Sequence, residues 1–309
     1  MDNIFILLAA LALDLAFGEP SDRWHPVAWL GKVISLGMKW APRRGNLAQM
    51  VFGIAAVLIT LGIVTAAGYF LFLYLQQFSR LVYVIVGGVL LKFTFSLRGL
   101  RQAATTVREL LARDNLAGAR TSLRALVGRD TAGLDKSHLI SAAVESVAEN
   151  STDSFVAPLF YFVLFGVPGA AAYRVVNTFD SMIGHHGEWE YLGKFAARLD
   201  TAANLLPARL GALMLIAAAW LSRNSPRRAW QVMLRDRRKT ASPNAGWTMS
   251  AMAGALGVQL EKIGYYRLGD NHNSLSLRAI ETSGQMVMIS AALWSLILIL
   301  AEVIYFAAT

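Results

Sequence analysis

Residues 50–75 read MVFGIAAVLITLGIVTAAGYFLFLYL, and none of them is charged. A helix needs roughly 20 apolar residues to cross the hydrocarbon core of a bilayer. This stretch therefore predicts a transmembrane helix. A second uncharged run, Thr282 to Ala301, predicts another, and its apolar character continues past Glu302. Four weaker candidates follow: 3–17 with Asp14, 81–97 with Lys92, 154–173 with Pro158, Gly166, Pro168 and Gly169, and 205–221 with Arg209. An ionisable group inside a span usually faces protein or water. These four are read as spans, tilted interfacial helices or re-entrant pieces. The first has no basic residues ahead of it and begins at Asp2, so it reads as a start anchor and not as a cleavable signal.

Composition agrees with this reading. Charged residues make up 16% of the 309, against about 25% in ordinary soluble domains. Hydrophobic residues reach 55% and mean hydropathy is +0.45. Such a chain can neither cover a soluble surface nor remain disordered. It contains no cysteine, which excludes disulfides, thiolate metal sites, iron–sulfur clusters and a cysteine nucleophile. The expected fold is all-α, a single membrane-embedded domain over 1–309.

Charge sets the expected topology. The 29 Lys and Arg residues concentrate in 18–49, 98–150 and 222–285, and basic loops stay cytosolic. Six spans with both termini outside would put all three loops inside. The net charge of +9 lies mostly in these loops. They flank spans and contain no nucleic-acid-binding module, so no nucleic acid is expected as a partner. Six full spans would also carry Asn177, Asp180 and His185 outside. The break at Gly166-Val167-Pro168-Gly169 offers a re-entrant helical hairpin over 154–184 as the alternative. Within the polar segments, 98–127 reads as an amphipathic helix or helix pair. Ser137 reads as the N-cap of a helix through Ser154.

Four polar constellations carry candidate chemistry. Glu145, Glu149 and Asp153 recur every four residues, so a regular helix puts three carboxylates on one face, with Asn150 adjacent. They form either a solvated acidic face paired with arginines or a seat for a cation. Asn177, Asp180, Ser181, Gly184 and His185 follow an apolar segment as helix-end residues or as a ligand site. Arg198, Asp200, Asn204 and Arg209 hold either a structural Asp–Arg pair or a site. Asp14, Glu19 and His25 flank the first apolar run. Asp14 there is a snorkelling end residue or a buried one, and His25 is a base, a ligand or a surface histidine. No P-loop, G-x-G-x-x-G, G-x-S-x-G or H-E-x-x-H is present. The residues alone leave transporter and membrane enzyme open. The placement of polar groups at loops and helix ends favours the enzyme.

Read in order, these clusters resemble the adenosylcobinamide-phosphate synthase family of cobalamin biosynthesis. The matching pieces are Leu13-Asp14, Gly18-Glu19-Pro20, His25-Pro26, Gly128-Arg129-Asp130-Thr131, Glu145-Ser146-Val147-Ala148-Glu149-Asn150 with Asp153, and Pro158-Leu159-Phe160-Tyr161. Further on come Tyr173-Arg174-Val175-Val176-Asn177-Thr178-Phe179-Asp180-Ser181, Ala197-Arg198-Leu199-Asp200, Asn204 to Leu210, and Ser242-Pro243-Asn244-Ala245-Gly246-Trp247. Two departures are local: His185-His186-Gly187 replace the usual tyrosine and basic residue, and Thr201 replaces a second acid. A membrane sensor family of β-lactamase regulation shares part of the pattern and is the nearest alternative, beside a small-molecule transporter.

The resemblance implies an inner-membrane enzyme with its active site facing the cytosol. It would join adenosylcobyric acid to (R)-1-aminopropan-2-ol or its phosphate as an amide, driven by ATP with Mg2+. It further implies catalytic roles for Asp153, Asp180, His25 and Glu149. Substrate or phosphate contacts fall to Arg129, Asn150, Arg174, Asn177, Arg198, Asp200, Asn204 and Asn244. Glu149, Asp153 and Asp180 are the expected magnesium ligands. Trp24, Trp29, Trp189 and Trp247 are expected either to anchor at the interface or to offer the corrinoid an apolar face.

Overall fold

The structure is a computed structural model, and it describes residues 1–124, 126–127, 130–184 and 190–308. Arg129, His185 and Trp189 lie outside the described residues. The protein is an all-α polytopic membrane protein. By length and composition, four helical runs can cross a membrane: Asn46–Phe78, Arg80–Ala112, Lys136–Ile183 and Leu277–Ala308. A fifth is counted if Glu190–Ala203 and Leu205–Leu221 form one span. The six full spans expected above are therefore too many. The first apolar segment folds as α1 (Asp2–Phe17), which at 16 residues is short of a full crossing.

The chain gathers into two compact units, each built from separated stretches: 1–96, 157–203 and 298–309 in one, 97–156 and 204–297 in the other. The first contains α1, α2 (Pro26–Met38), α3 (Asn46–Phe78), α4 (Arg80–Lys92), α8 (Ala157–Ile183) and α9 (Glu190–Ala203). α1 packs along α4, and α3 packs against α8 and α9. The core there is Ile34, Val57, Val175, Phe179, Ile183 and Leu192. Gly193 lets α9 close on α8, since a Cβ there would lie 1.7 Å from the Ile183 carbonyl oxygen.

α8 is not one straight rod. Gly166 adopts φ 68° and ψ −165°, backbone essentially reserved for glycine, and Pro168 follows it. A Cβ on Gly169 would sit 2.6 Å from the Tyr161 carbonyl oxygen. Eight residues of straight helix would separate those positions by about 12 Å. The Tyr161 and Tyr173 rings also stack with centroids 5.3 Å apart. The chain therefore turns back on itself at Gly166, and the expected helical hairpin is present.

The second unit contains α5 (Leu97–Ala112), α6 (Leu116–Arg124), α7 (Lys136–Ser151), a π-helical turn (Thr152–Val156), α10 (Leu205–Leu221), α11 (Pro226–Asp236), α12 (Ala245–Leu256) and most of α13 (Leu277–Ala308). The pair α5–α6 matches the amphipathic reading: Leu100, Ala104, Val107 and Leu111 form the buried stripe of α5. α7 starts earlier than expected. Asp135, not Ser137, is its N-cap, and its carboxylate accepts from the His138 backbone N–H at 2.9 Å. α7 is buried on every face from Leu139 to Ala148 because only Glu145 interrupts its small and apolar residues. A two-stranded hairpin not anticipated from sequence, β1 (Leu260–Lys262) with β2 (Tyr266–Leu268), packs β1 against α7.

Candidate functional site

In the first unit, the second arm of the α8 hairpin supplies Arg174, Asn177 and Asp180, and α9 supplies Asp200. Three of these residues are linked. The Arg174 Nη1 donates to Asn177 Oδ1 at 3.2 Å, and Asn177 Nδ2 donates to Asp200 Oδ1 at 3.4 Å. Asn177 is buried. The amide thus spends its oxygen on the cation and its nitrogen on the anion, bridging the two. Asp200 is not in an Asp–Arg pair with Arg198, which is exposed and has no carboxylate partner among the described residues. Arg174 also borders a cavity of about 320 Å³ whose other walls include Leu30, Val64, Leu71, Phe93 and Pro168. A guanidinium beside an otherwise apolar cavity suits a ligand with one anionic end and a hydrocarbon body.

Asp14, Glu19 and His25 meet in the same unit, through a residue that sequence reading treated only as an anomaly in a span. Lys92 Nζ lies 3.0 Å from Asp14 and 2.7 Å from Glu19. Asp14 is 1% exposed, so it does not snorkel to a surface. Its charge is matched inside the protein instead. The signal was available: an apolar run with one lysine and a preceding run with one aspartate predict each other as partners. Burial raises the Glu19 pKa, but hydrogen bonds from His25, Lys92 and Ser96 and the lysine charge outweigh it and hold the carboxyl at about 2.

His25 is more committed than expected. Its Nδ1 accepts the Val27 backbone N–H at 3.2 Å as the N-cap of α2. That bond leaves the proton on Nε2, which donates to Glu19 at 2.7 Å. Both ring nitrogens are engaged, so this geometry makes His25 a cap and a clamp on the Gly18–His25 loop. It leaves no lone pair for deprotonating a substrate.

In the second unit, the three spaced carboxylates part company. Glu145 is buried and accepts from Ser141 at 2.7 Å and from the Tyr266 hydroxyl at 2.8 Å. It ties the β-hairpin to α7. Glu149 is exposed, and Asp153 lies in the π turn, partly exposed. A π turn widens the helix, so spacing of four no longer guarantees one face. Asn150 donates to the Ser146 carbonyl and hydroxyl at 2.9 and 2.8 Å. Asn204 and Asn244 are buried at the starts of α10 and α12, and neither side chain caps its own helix. Trp24 and Trp29 are exposed, while Trp247 is half-buried.

Among the described residues no three His, Asp or Glu side chains stand together as a metal cage. Magnesium does not demand one: it commonly takes one or two carboxylates and completes its shell with water and phosphate oxygens. Glu149, exposed, and Asp153, partly exposed, are carboxylates of that kind by position, whereas Glu145 is buried and bonded to Ser141 and Tyr266.

Residues 7–295 match the family described as "CobD/Cbib protein". The chain is 49% identical over 307 residues to the "Cobalamin biosynthesis protein CobD" of Dehalococcoides mccartyi, covering 99% of each chain. It is 41% identical over 271 residues to the "Probable cobalamin biosynthesis protein CobD" of Methanothermobacter thermautotrophicus, covering 87% of this chain and 88% of that one. The corresponding protein of Methanocaldococcus jannaschii is 36% identical over 303 residues, 96% and 99% of the two chains. No solved structure matches. With the motifs in order along almost the whole length, and relatives this similar end to end, the chain belongs to the CobD/Cbib family of cobalamin biosynthesis proteins.

Proposed function

We propose that the protein is an acid–amine ligase of the inner membrane, working at the cytosolic face. It would form the amide between adenosylcobyric acid and (R)-1-aminopropan-2-ol or its O-phosphate. The observation that carries this reading is the Arg174–Asn177–Asp200 network beside the apolar cavity. An amino-alcohol phosphate has an anionic end, an ammonium end and a short hydrocarbon body between them. Arg174 suits its phosphate as a charged, forked donor. Asp200 suits the ammonium, and Asn177 bridges the two side chains.

A carboxylate resists attack by an amine, so its oxygen must first become a leaving group. In this proposal the propionate oxygen of the corrinoid attacks the γ-phosphoryl group of ATP, giving an acyl phosphate and ADP. The free amine then attacks the acyl carbon, and phosphate leaves. Magnesium, when bound, would neutralise charge on the phosphates; the carboxylates proposed for it are Glu149 and Asp153 in the second unit or, separately, Asp180 in the first. Arg198, exposed and without a carboxylate partner among the described residues, is proposed to meet phosphate oxygens. Asn204 and Asn244 are proposed substrate contacts. With His25 occupied as a cap, the ammonium proton is assigned to a carboxylate, and Asp200 is the candidate because it faces the amine in this arrangement.

The test is purified protein in detergent given adenosylcobyric acid, the amino-alcohol phosphate, ATP and Mg2+. One ADP and one phosphate should appear for each amide. Release of AMP and pyrophosphate would replace the acyl phosphate with an acyl adenylate. Amide formation without nucleotide would end the ligase reading.

A further inference from the structure

α10, α11 and α12 converge on one indole. The guanidinium carbons of Arg209 and Arg237 each lie 4.7 Å from the centre of the Trp247 ring. The two positive charges are therefore no more than twice that distance apart. Neither has a carboxylate partner among the described residues; each donates only to a main-chain carbonyl of its own helix, Leu205 for Arg209 and Leu234 for Arg237. The arrangement is built and not incidental. A Cβ on Gly246 would lie 2.2 Å from the Arg237 carbonyl oxygen, so only glycine lets the first turn of α12 approach the end of α11 and bring Trp247 under the guanidinium.

Stacking on an indole holds an arginine in place while leaving most of its N–H edge free. Two cations within twice 4.7 Å of each other repel, and an anion that contacts both relieves the repulsion. The rest of the surface says which kind. Trp230 and Leu234 follow one exposed stripe of α11, at i and i+4, with Arg227 one turn before, and the stripe leads to the half-buried Arg237 at the helix C-cap. On α10, Leu205 and Leu206 stand exposed in the turn before Arg209, at the head of a helix that is otherwise apolar. Exposed leucines and a tryptophan flank the arginine pair on both helices. A soluble anion has no use for them, but a lipid has.

We propose that Arg209, Arg237 and Trp247 bind the phosphate of an anionic phospholipid headgroup, with Trp230, Leu205, Leu206 and Leu234 resting in the adjoining acyl region. α11 then lies along the membrane surface as an amphipathic anchor. The segment falls in the most basic stretch of the chain, which charge asymmetry places at the cytosolic leaflet, where anionic lipids attract Lys and Arg.

Native mass spectrometry of the full-length protein in detergent, titrated with phosphatidylglycerol or phosphatidylcholine, tests this. The wild type should retain phosphatidylglycerol preferentially, and raising the salt should weaken that preference. Arg209→Gln and Arg237→Gln should each weaken phosphatidylglycerol retention about tenfold, the loss of one charge-assisted contact. Should either variant fail to fold, Trp247→Leu removes the shelf while keeping both charges and should also weaken retention. Equal retention of the two lipids by the wild type would overturn the proposal, as would variants that hold phosphatidylglycerol as the wild type does. Displacement of the lipid by inorganic phosphate at equal concentration would also overturn it, making the site one for free phosphate.

Discussion

A lysine inside an apolar helix is tolerable only because of what faces it. Lys92 satisfies Asp14 and Glu19 at once. Removing one member of a buried pair strands the other, at about 3–5 kcal/mol, whereas replacing both with apolar residues is often neutral. Lys92→Met should therefore lower the thermal midpoint in detergent sharply, and adding Asp14→Leu should recover much of the loss. A melt unchanged by the single substitution would show that the charges are solvated. The acidic residues assigned to chemistry should behave in the opposite way. Asp153→Asn and Asp180→Asn are isosteric, so both should accumulate normally in the membrane and yield no amide. Near-normal turnover in both would remove the metal role. Reduced protein levels with residual turnover would mark them as structural.

At the scale of elements, the α8 hairpin depends on one residue. Gly166 occupies backbone that a side chain strains by about 1–3 kcal/mol. Gly166→Leu should thus lower both folded yield and activity by loosening the fold-back that places Arg174 and Asn177. A variant with full yield and full turnover would show that the turn tolerates a Cβ. The α11 helix has its own signature, in acid. Asp236 is fully buried and bonded to Arg235, Lys239 and the Gly269 N–H. Burial raises its pKa, but those bonds prevail and set it at about 2. A carboxyl whose pKa is depressed by folding contributes stability above its unfolded value of about 3.9. That contribution, roughly 2–3 kcal/mol, is lost as pH falls through the folded value near 2. Asp236→Asn should therefore be less stable than wild type at pH 7 and approach it below pH 2, with hydrogen exchange in α11 and the β-hairpin as the readout. A constant difference across that range would contradict the linkage.

For the whole molecule, the absence of native cysteine makes topology directly measurable. Basic segments predict that 222–285 faces the cytosol. The hairpin at Gly166 offers the route by which Asp180 returns to that side. A Met182→Cys variant, at a position 37% exposed, should react with an impermeant maleimide only when the cytosolic face is accessible. Labelling confined to the periplasmic side would separate Asp180 from ATP and defeat the proposed placement.

Some of this was legible without coordinates. Uncharged runs long enough to cross a bilayer are a property of composition, because lipid cannot solvate a charge or an open backbone group. Residues 50–75 and 282–301 therefore declared themselves, and so did the breaking effect of Gly166-Val167-Pro168-Gly169. Ordered motifs were likewise enough to indicate the family. Spacing misled wherever the helix was not regular. Glu145, Glu149 and Asp153 look alike at intervals of four, yet one is buried under Tyr266, one is exposed and one sits in a π turn. Partnership was the other thing sequence could not express. That Asn177 bridges Arg174 to Asp200, that His25 spends both nitrogens on a cap and a clamp, and that two distant arginines share Trp247 all depend on which helices pack together. Local sequence sets whether a residue can be charged in a membrane. Only tertiary structure decides what that charge meets.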